Sequence, residues 1–291
     1  MSKQQTTDRP SGTDAATPTS ETPTVPDRSD TSAGVSGSDG DQFTLCGPMS
    51  AVDPTVSVVI PTLNEEEAIE AVLQAVFTAL RELDIPSEII LADSSTDRTP
   101  DIARDHGAIV TEPERKGYGA AYLDGFDTAR GDIIAMGDAD TTYDFTELPK
   151  LIRTMRETDA DMVIGSRLDG EILPGAMPPL HQYVGNPMLT RMLNTLFDAE
   201  FSDTHSGFRV FTREALDAMD PQTTGMEFAS EMLIGAARED LSVEEVPITY
   251  HPRVGDAKLE SFRDGWRHIR YMIGEWGSNV GAVRVLAGLF A

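Results

Sequence analysis

Asp138 and Asp140, in "MGDADTTYD", set two carboxylates two residues apart just after the apolar run "DIIA". Two hard oxygen ligands leave coordination positions open on Mg2+ or Mn2+, which water and substrate phosphates complete. A cation held there neutralises a diphosphate leaving group as its bond to a sugar breaks. A D-x-D pair on its own is more often a solvated turn than a metal site. Its meaning depends on what else shares its part of the fold.

Cations form the second group. Arg167 in "GSRL", His181 in "LHQY" and Arg209 in "HSGFR" are candidates for holding an anionic acceptor, with His205 a weaker one. Arginine suits this because its planar fork binds phosphate at two points. A neutral hydroxyl acceptor needs a general base. Asp203 is a candidate for that base, or for a partner that orients Arg209. A phosphomonoester, with a second pKa of about 6, needs cations and no base. For each arginine the competing reading is a surface ion pair, and for His181 a packing or capping role. Glu227 and Glu231, four apart on one helix face, point either into the site or to an arginine.

The elements that must position these groups alternate along the chain. "TVSVVIP" is a β-branched strand, followed by a helix with Ile69, Val72, Leu73, Val76, Phe77 and Leu80 on one face. Asn64 is the expected N-cap of that helix, with Glu67 completing a capping box. "EIILAD" is a second strand and "TPDIARDHG" a short helix with Thr99 as N-cap, Pro100 at its first position and Gly107 at its end. "AIVTE", the helix "GYGAAYLDGFDTA" and the strand "DIIAMGD" follow. Wholly apolar strands alternating with helices predict an α/β fold, a mostly parallel sheet covered on both faces. Ligands bind such sheets beyond the carboxyl ends of the strands. "NEEE", "DSSTD" and "DAD" all fall there. Lys116, Gly117 and Gly119 precede a helix, where glycines permit close backbone approach to a nucleotide or simply make a turn.

Composition narrows the partners. The chain of 291 residues carries 49 acidic and 23 basic side chains, a formal charge of −26. That excludes nucleic acid as the main partner, since phosphate-backbone binding is driven by Lys and Arg. Lysine occurs only at positions 3, 116, 150 and 258. Such a surface suits a cytoplasm of high salt, where screening removes its self-repulsion, and we expect a halophilic source. Cys46, the single cysteine, forms no internal disulfide and lies outside any metal-ligand spacing. Neither a signal peptide nor a run of ~18 apolar residues is evident.

Taken in order, "VVIPTLNEEEAI", "ADSSTDRTPDIA", "GYGAAYLDGF", "GDIIAMGDADTTYDF", "GSRLDG", "HSGFRVF", "GMEFASEM" and "PITYHPRVGDAKL" resemble the blocks of an inverting family 2 glycosyltransferase of GT-A fold. The nearest branch is that of dolichyl-phosphate mannose or glucose synthases and related polyprenyl-phosphate hexosyltransferases, and the resemblance covers about residues 56 to 272. It implies that Pro61, Leu63, Asn64 and Glu65 border the base and ribose of a nucleotide-sugar donor. It implies that Asp93 accepts a hydrogen bond from the base. Ala92 stands where the family usually has a second acid, which leaves the base, uracil or guanine, open. Thr142 replaces the Gln that mannose-type enzymes often place two residues after the second Asp. Arg253 and Lys258 resemble the loop that closes over diphosphate and acceptor phosphate, although Ala257 replaces the usual Ser.

Residues 1–53, rich in Ser, Thr, Gly, Pro and Asp, are expected to be a disordered tail. Residues 54–258 form the expected GT-A domain and residues 259–291 an amphipathic segment. In that segment Leu259, Phe262, Trp266, Ile269, Ile273 and Trp276 recur at steps of three and four, flanked by Arg263, Arg267, His268 and Arg270. The pattern fits a helix in a lipid interface on the cytoplasmic face of the membrane, or a core helix or dimer seam. The favoured function is metal-dependent transfer of a hexose from UDP-glucose or GDP-mannose to a polyprenyl phosphate. One alternative is transfer to a sugar or small-molecule hydroxyl, with Asp203 as base. The other is an inert nucleotide-binding or membrane-scaffolding protein.

Overall fold

The computed structural model describes residues 43–255 and 261–289. Strand β1 (Val56–Thr62) is central because it is apolar on both faces: Val56, Val58 and Ile60 enter one core layer and Val59 the other. It pairs in parallel with β2 (Ser87–Asp93) and β4 (Ile133–Met136), and β2 pairs with β3 (Ile109–Thr111). β6 (Arg209–Thr212) is antiparallel to β4 and to β5 (Met162–Ile172), and β7 (Val243–Tyr250) returns parallel to β5. The seven-stranded order is β3-β2-β1-β4-β6-β5-β7, a mostly parallel α/β sheet as expected.

Helices cover both faces. α1 (Ile69–Leu83) buries Ile69, Val72, Leu73, Val76, Phe77 and Leu80, the face predicted from its periodicity. With α2 (Thr99–Asp105) and α4 (Leu148–Thr158) it covers one layer. α3 (Tyr118–Thr128), α5 (Asn186–Phe197), α6 (Arg213–Met219) and α7 (Phe228–Arg238) cover the other. The start of α1 differs from expectation. Asn64 is not its N-cap: it sits at φ 52, and the helix begins at Ile69 with no side-chain cap. Its Oδ1 instead accepts from Thr96 N at 2.8 Å, tying the β1 and β2 loops together. Thr99 is likewise the first residue of α2, and Asp97 accepts from its N–H at 3.0 Å.

Two expected boundaries change. Residues 43–50, assigned to the tail, belong to the folded part: Cys46 is buried, its N–H donates to Ser87 O, and Phe43 and Leu45 pack on the core. Residues 1–42 of that tail lie outside the described residues. α8 (Ser261–Leu289) is helical as predicted but partly docked, with Met272 and His268 buried against α5 and α7. Trp266, Ile273 and Trp276 stay 63%, 52% and 43% exposed. Among the described residues no helix is long and apolar enough to cross a membrane.

Candidate active site

The D-x-D pair follows β4, at the carboxyl edge of the central parallel strands. Asp140 is buried, and its Oδ1 accepts from the Thr142 hydroxyl at 2.5 Å and the Thr142 N–H at 3.0 Å. Thr142 thus orients the carboxylate instead of adding a ligand. Arg253 Nη2 reaches Asp140 Oδ2 at 2.5 Å and lies 4.0 Å from Glu65 Oε1. Backbone pairing brings Arg253 there: Val254 N donates to Asp140 O and His251 N to Thr142 O, and Tyr143 bridges Tyr250. Sequence spacing gave no sign of this pairing.

Asp138 is half-buried, with the Tyr122 hydroxyl 3.4 Å from Oδ1. Burial first, and the charge of Asp140 second, push its carboxyl up to about 7, against hydrogen bonding from Tyr118. Two acids crowded this way leave negative charge that a dication neutralises. Among the described residues no group of three or more His, Cys, Asp and Glu forms a cage. Asp138 and Asp140 offer two oxygen donors, a set that would hold a cation only where phosphates and water complete its shell.

The donor rim assembles at the ends of β1 and β2. Asp93 accepts from the Thr62 hydroxyl at 2.7 Å and the Ser95 hydroxyl at 2.5 Å, which fixes its carboxylate at the strand end. Glu65 is buried, its N–H donating to Thr99 Oγ1 at 2.9 Å. Pro61 is half-buried within β1, and Leu63 lies exposed beside it. Lys116 is exposed. Gly117 has a backbone reason of its own. It sits at φ 137, and a Cβ there would collide with Thr224 O. The close approach it permits is to the 222–225 turn. Glu231 holds that turn through Gln222 N, Thr223 N and the Thr223 hydroxyl.

The acceptor side overturns several expectations. Arg167 is not a surface cation: its Nε and Nη2 bind Asp203 Oδ2 and Oδ1 at 2.7 and 2.9 Å, and its N–H also donates to Oδ2. Tyr250 stacks on it, with 5.2 Å from guanidinium to ring centroid. Asp203 is fully buried. Burial alone would raise its pKa, but the charge and hydrogen bonds of Arg167 outweigh burial and hold it below the ordinary value. A carboxylate so engaged is no general base, and it orients Arg167, not Arg209. Arg209 is fully buried and donates to Ser206 O, Ala229 O and Thr204 O at 2.8, 3.1 and 3.0 Å. It braces the loop before β6 and does not present charge to an acceptor. His181 opens a π-helical turn, His181–Gly185, that runs into α5, and is half-buried. His205 is held by Thr204 Oγ1. Glu227 pairs with Arg267 at 2.8 Å. Lys258 lies outside the described residues.

The sequence profile of glycosyl transferase family 2 matches residues 57–219. The chain is 59% identical over 234 residues to the low-salt glycan biosynthesis hexosyltransferase Agl6 of Haloferax volcanii, covering 80% of this chain and 56% of that protein. It thus spans little more than half the length of that relative. A dolichyl-phosphate hexose transferase of the same organism is 36% identical over 213 residues, covering 72% of this chain and 89% of its own length. Among solved structures, glucosyl-3-phosphoglycerate synthase from Mycobacterium tuberculosis, crystallised with Mn2+, UDP and glucosyl-3-phosphoglycerate, superposes with a TM-score of 0.63. The identity is 24%, over 77% of this chain and 80% of that one. The likeness is one of GT-A fold.

Proposed function

Because this chain belongs to glycosyl transferase family 2, we propose that its rim transfers a hexose from a nucleotide sugar to a polyprenyl phosphate. The observation that carries the acceptor class is the Arg167–Asp203 pair. It removes the acid that a hydroxyl acceptor was expected to use as base. A phosphate acceptor is already largely dianionic near neutrality and needs none. The relatedness to a dolichyl-phosphate hexose transferase supports the same reading.

In this reading Asp93, fixed by Thr62 and Ser95, meets the base, and Asp138 and Asp140 hold Mg2+ or Mn2+. When bound, that cation offsets the charge that develops on the diphosphate leaving group. Arg253, already at the rim, exchanges its Asp140 partner for phosphate oxygens. The buried Arg167 contributes positive potential behind the site. Inversion at the anomeric carbon follows from direct attack by one phosphate oxygen.

The exposed Trp266, Ile273 and Trp276 lie beside Arg270, also exposed. They would rest on the cytoplasmic membrane surface and bring the rim to a lipid acceptor. A donor-by-acceptor matrix tests the function: UDP-glucose and GDP-mannose against dolichyl phosphate and simple sugars, with Mg2+ or Mn2+. Transfer to dolichyl phosphate is expected with one donor. Transfer to simple sugars alone would overturn the acceptor class, and no transfer at all would leave the inert binder.

A further inference from the structure

Two neighbouring residues of α8 reach two walls of the rim. Arg267 meets Glu227 at the turn that carries Gly225, its Nε 2.8 Å from Oε2 and its Nη2 donating to Oε1 at 3.1 Å. A Cβ on Gly225 would collide with that guanidinium. His268 is buried, and its Nδ1 meets the Ser230 hydroxyl at 2.8 Å. The same hydroxyl lies 3.4 Å from His205 Nε2, and the two imidazoles pack edge to face with centroids 4.4 Å apart. His205 Nδ1 meets Thr204 Oγ1 at 2.9 Å, and Thr204 meets Thr190 of α5 at 3.0 Å. A continuous set of contacts therefore runs from α8 through α7 into residues 203–208.

Those residues wall the reacting centre. The His205 N–H donates to Asp203 Oδ1 at 3.3 Å, on the carboxylate that holds Arg167. Gly207 is packed so closely on Asp138 that a Cβ would stand 3.2 Å from its Oδ2. Its N–H donates to the Tyr143 hydroxyl at 2.7 Å. A shift of this loop by a few tenths of an ångström changes the space around Asp138 and the setting of Arg167 together. Burial keeps both imidazoles neutral, His268 falling to about 4 and His205 well below its usual value. The link is thus a set of neutral hydrogen bonds that neutral pH does not disturb.

We infer that His268 is a positioning residue: from α8, through Ser230, it holds the His205 ring and with it the 203–208 loop against Asp138 and Arg167. The consequence for the acceptor rests on the function proposed above, whereas the consequence for the loop does not.

The experiment compares the full chain with His268→Ala, His268→Asn and Arg238→Ala. Arg238 anchors α8 to α7 through Glu275 at 2.7 Å without touching the loop. Hydrogen exchange of amides in 203–208 is measured first, without substrate. Loss of one buried hydrogen bond should speed exchange there about tenfold in His268→Ala. His268→Asn, which keeps a polar group near Ser230, should return it to within about twofold. Arg238→Ala should leave it unchanged. The KM for dolichyl phosphate in detergent micelles should rise about tenfold in His268→Ala and recover in His268→Asn. Unchanged exchange in His268→Ala, or equal loosening in Arg238→Ala, overturns the inference. Parent enzyme that fails to glycosylate dolichyl phosphate sinks the acceptor reading alone, since the exchange result still decides the role of His268.

Discussion

Arg253 Nη2 stands 2.5 Å from Asp140 Oδ2 and 4.0 Å from Glu65 Oε1, so one guanidinium spans the acids that follow β4 and β1. It occupies a carboxylate oxygen that a cation held by Asp138 and Asp140 would use. Arg253→Ala should therefore bind Mn2+ more tightly in the absence of nucleotide, as titration calorimetry would register. The same variant should lose transfer about 10- to 100-fold, since charge-assisted hydrogen bonds contribute about 1.5–3 kcal/mol each. Weaker metal binding in the variant would show that Arg253 supports the cation instead of competing with it.

Metal affinity should follow Asp138. Its carboxyl, raised to about 7, binds a proton below that pH and must release it to a cation. Affinity for Mn2+ should fall as pH drops from 8 to 6 and level off above. Asp140→Ala should abolish transfer with the fold intact. Transfer by both Asp138→Ala and Asp140→Ala in excess chelator would exclude the cation from the reaction.

The Arg167–Asp203 fork carries a stability signature. Asp203 has a folded pKa below its unfolded value. Its contribution is therefore fully present above the unfolded value of about 3.9 and disappears as pH falls through the folded one. Asp203→Asn leaves Arg167 buried without a counter-charge and should cost about 3–5 kcal/mol. Denaturant titration from pH 3 to 7 would show the parent losing stability at the acid end while the gap to the variant narrows. Equal curves across that range would place the pair in solvent.

Arg209→Lys should also act on the fold. A lysine ammonium cannot reproduce the three bonds that the guanidinium fork makes to separate carbonyls. The expected result is a lower melting temperature, with donor and acceptor KM changed together or not at all. A rise in acceptor KM alone, at unchanged melting temperature, would restore Arg209 to the acceptor site.

Replacing Trp266 and Trp276 with Ser should move the protein from liposome pellet to supernatant in sedimentation. At high salt the electrostatic attraction of Arg270 to anionic lipid is screened, so the aromatic pair carries most of the affinity. Co-sedimentation equal to the parent would assign that exposed face to another partner.

Much of the sheet was legible because its strands are apolar throughout and its helices periodic. The face of α1 was buried residue for residue as predicted. The D-x-D pair was legible because it directly follows such a strand. The acceptor cations were not. An arginine in sequence carries the same charge whether it ends in solvent, as a substrate ligand, or against backbone carbonyls like Arg209. Only the tertiary partners separate these cases, and here they come from α7, β7 and the loop before β6. Asn64 misled for a related reason. Asn followed by Glu satisfies the local rule for a helix start, yet its partner is Thr96 in another loop. Gly117 was placed at the rim, but the neighbour that demands glycine there is Thr224.

The pairing of the Asp140–Tyr143 segment with the chain beyond β7 has a bearing on biosynthesis. Thr249 N, still within β7, donates to Glu147 Oε1 across 102 positions of sequence, and beyond the strand Val254 N reaches Asp140 O farther still. Contacts of such separation close late, because loop-closure entropy must be overcome first. A nascent chain that has emerged only through β6 already possesses both aspartates but not the strap that carries Arg253. The reaction centre is therefore completed only when its last strand leaves the ribosome and docks on β5. Until then the nascent polypeptide carries the acids of the centre without the arginine that closes it.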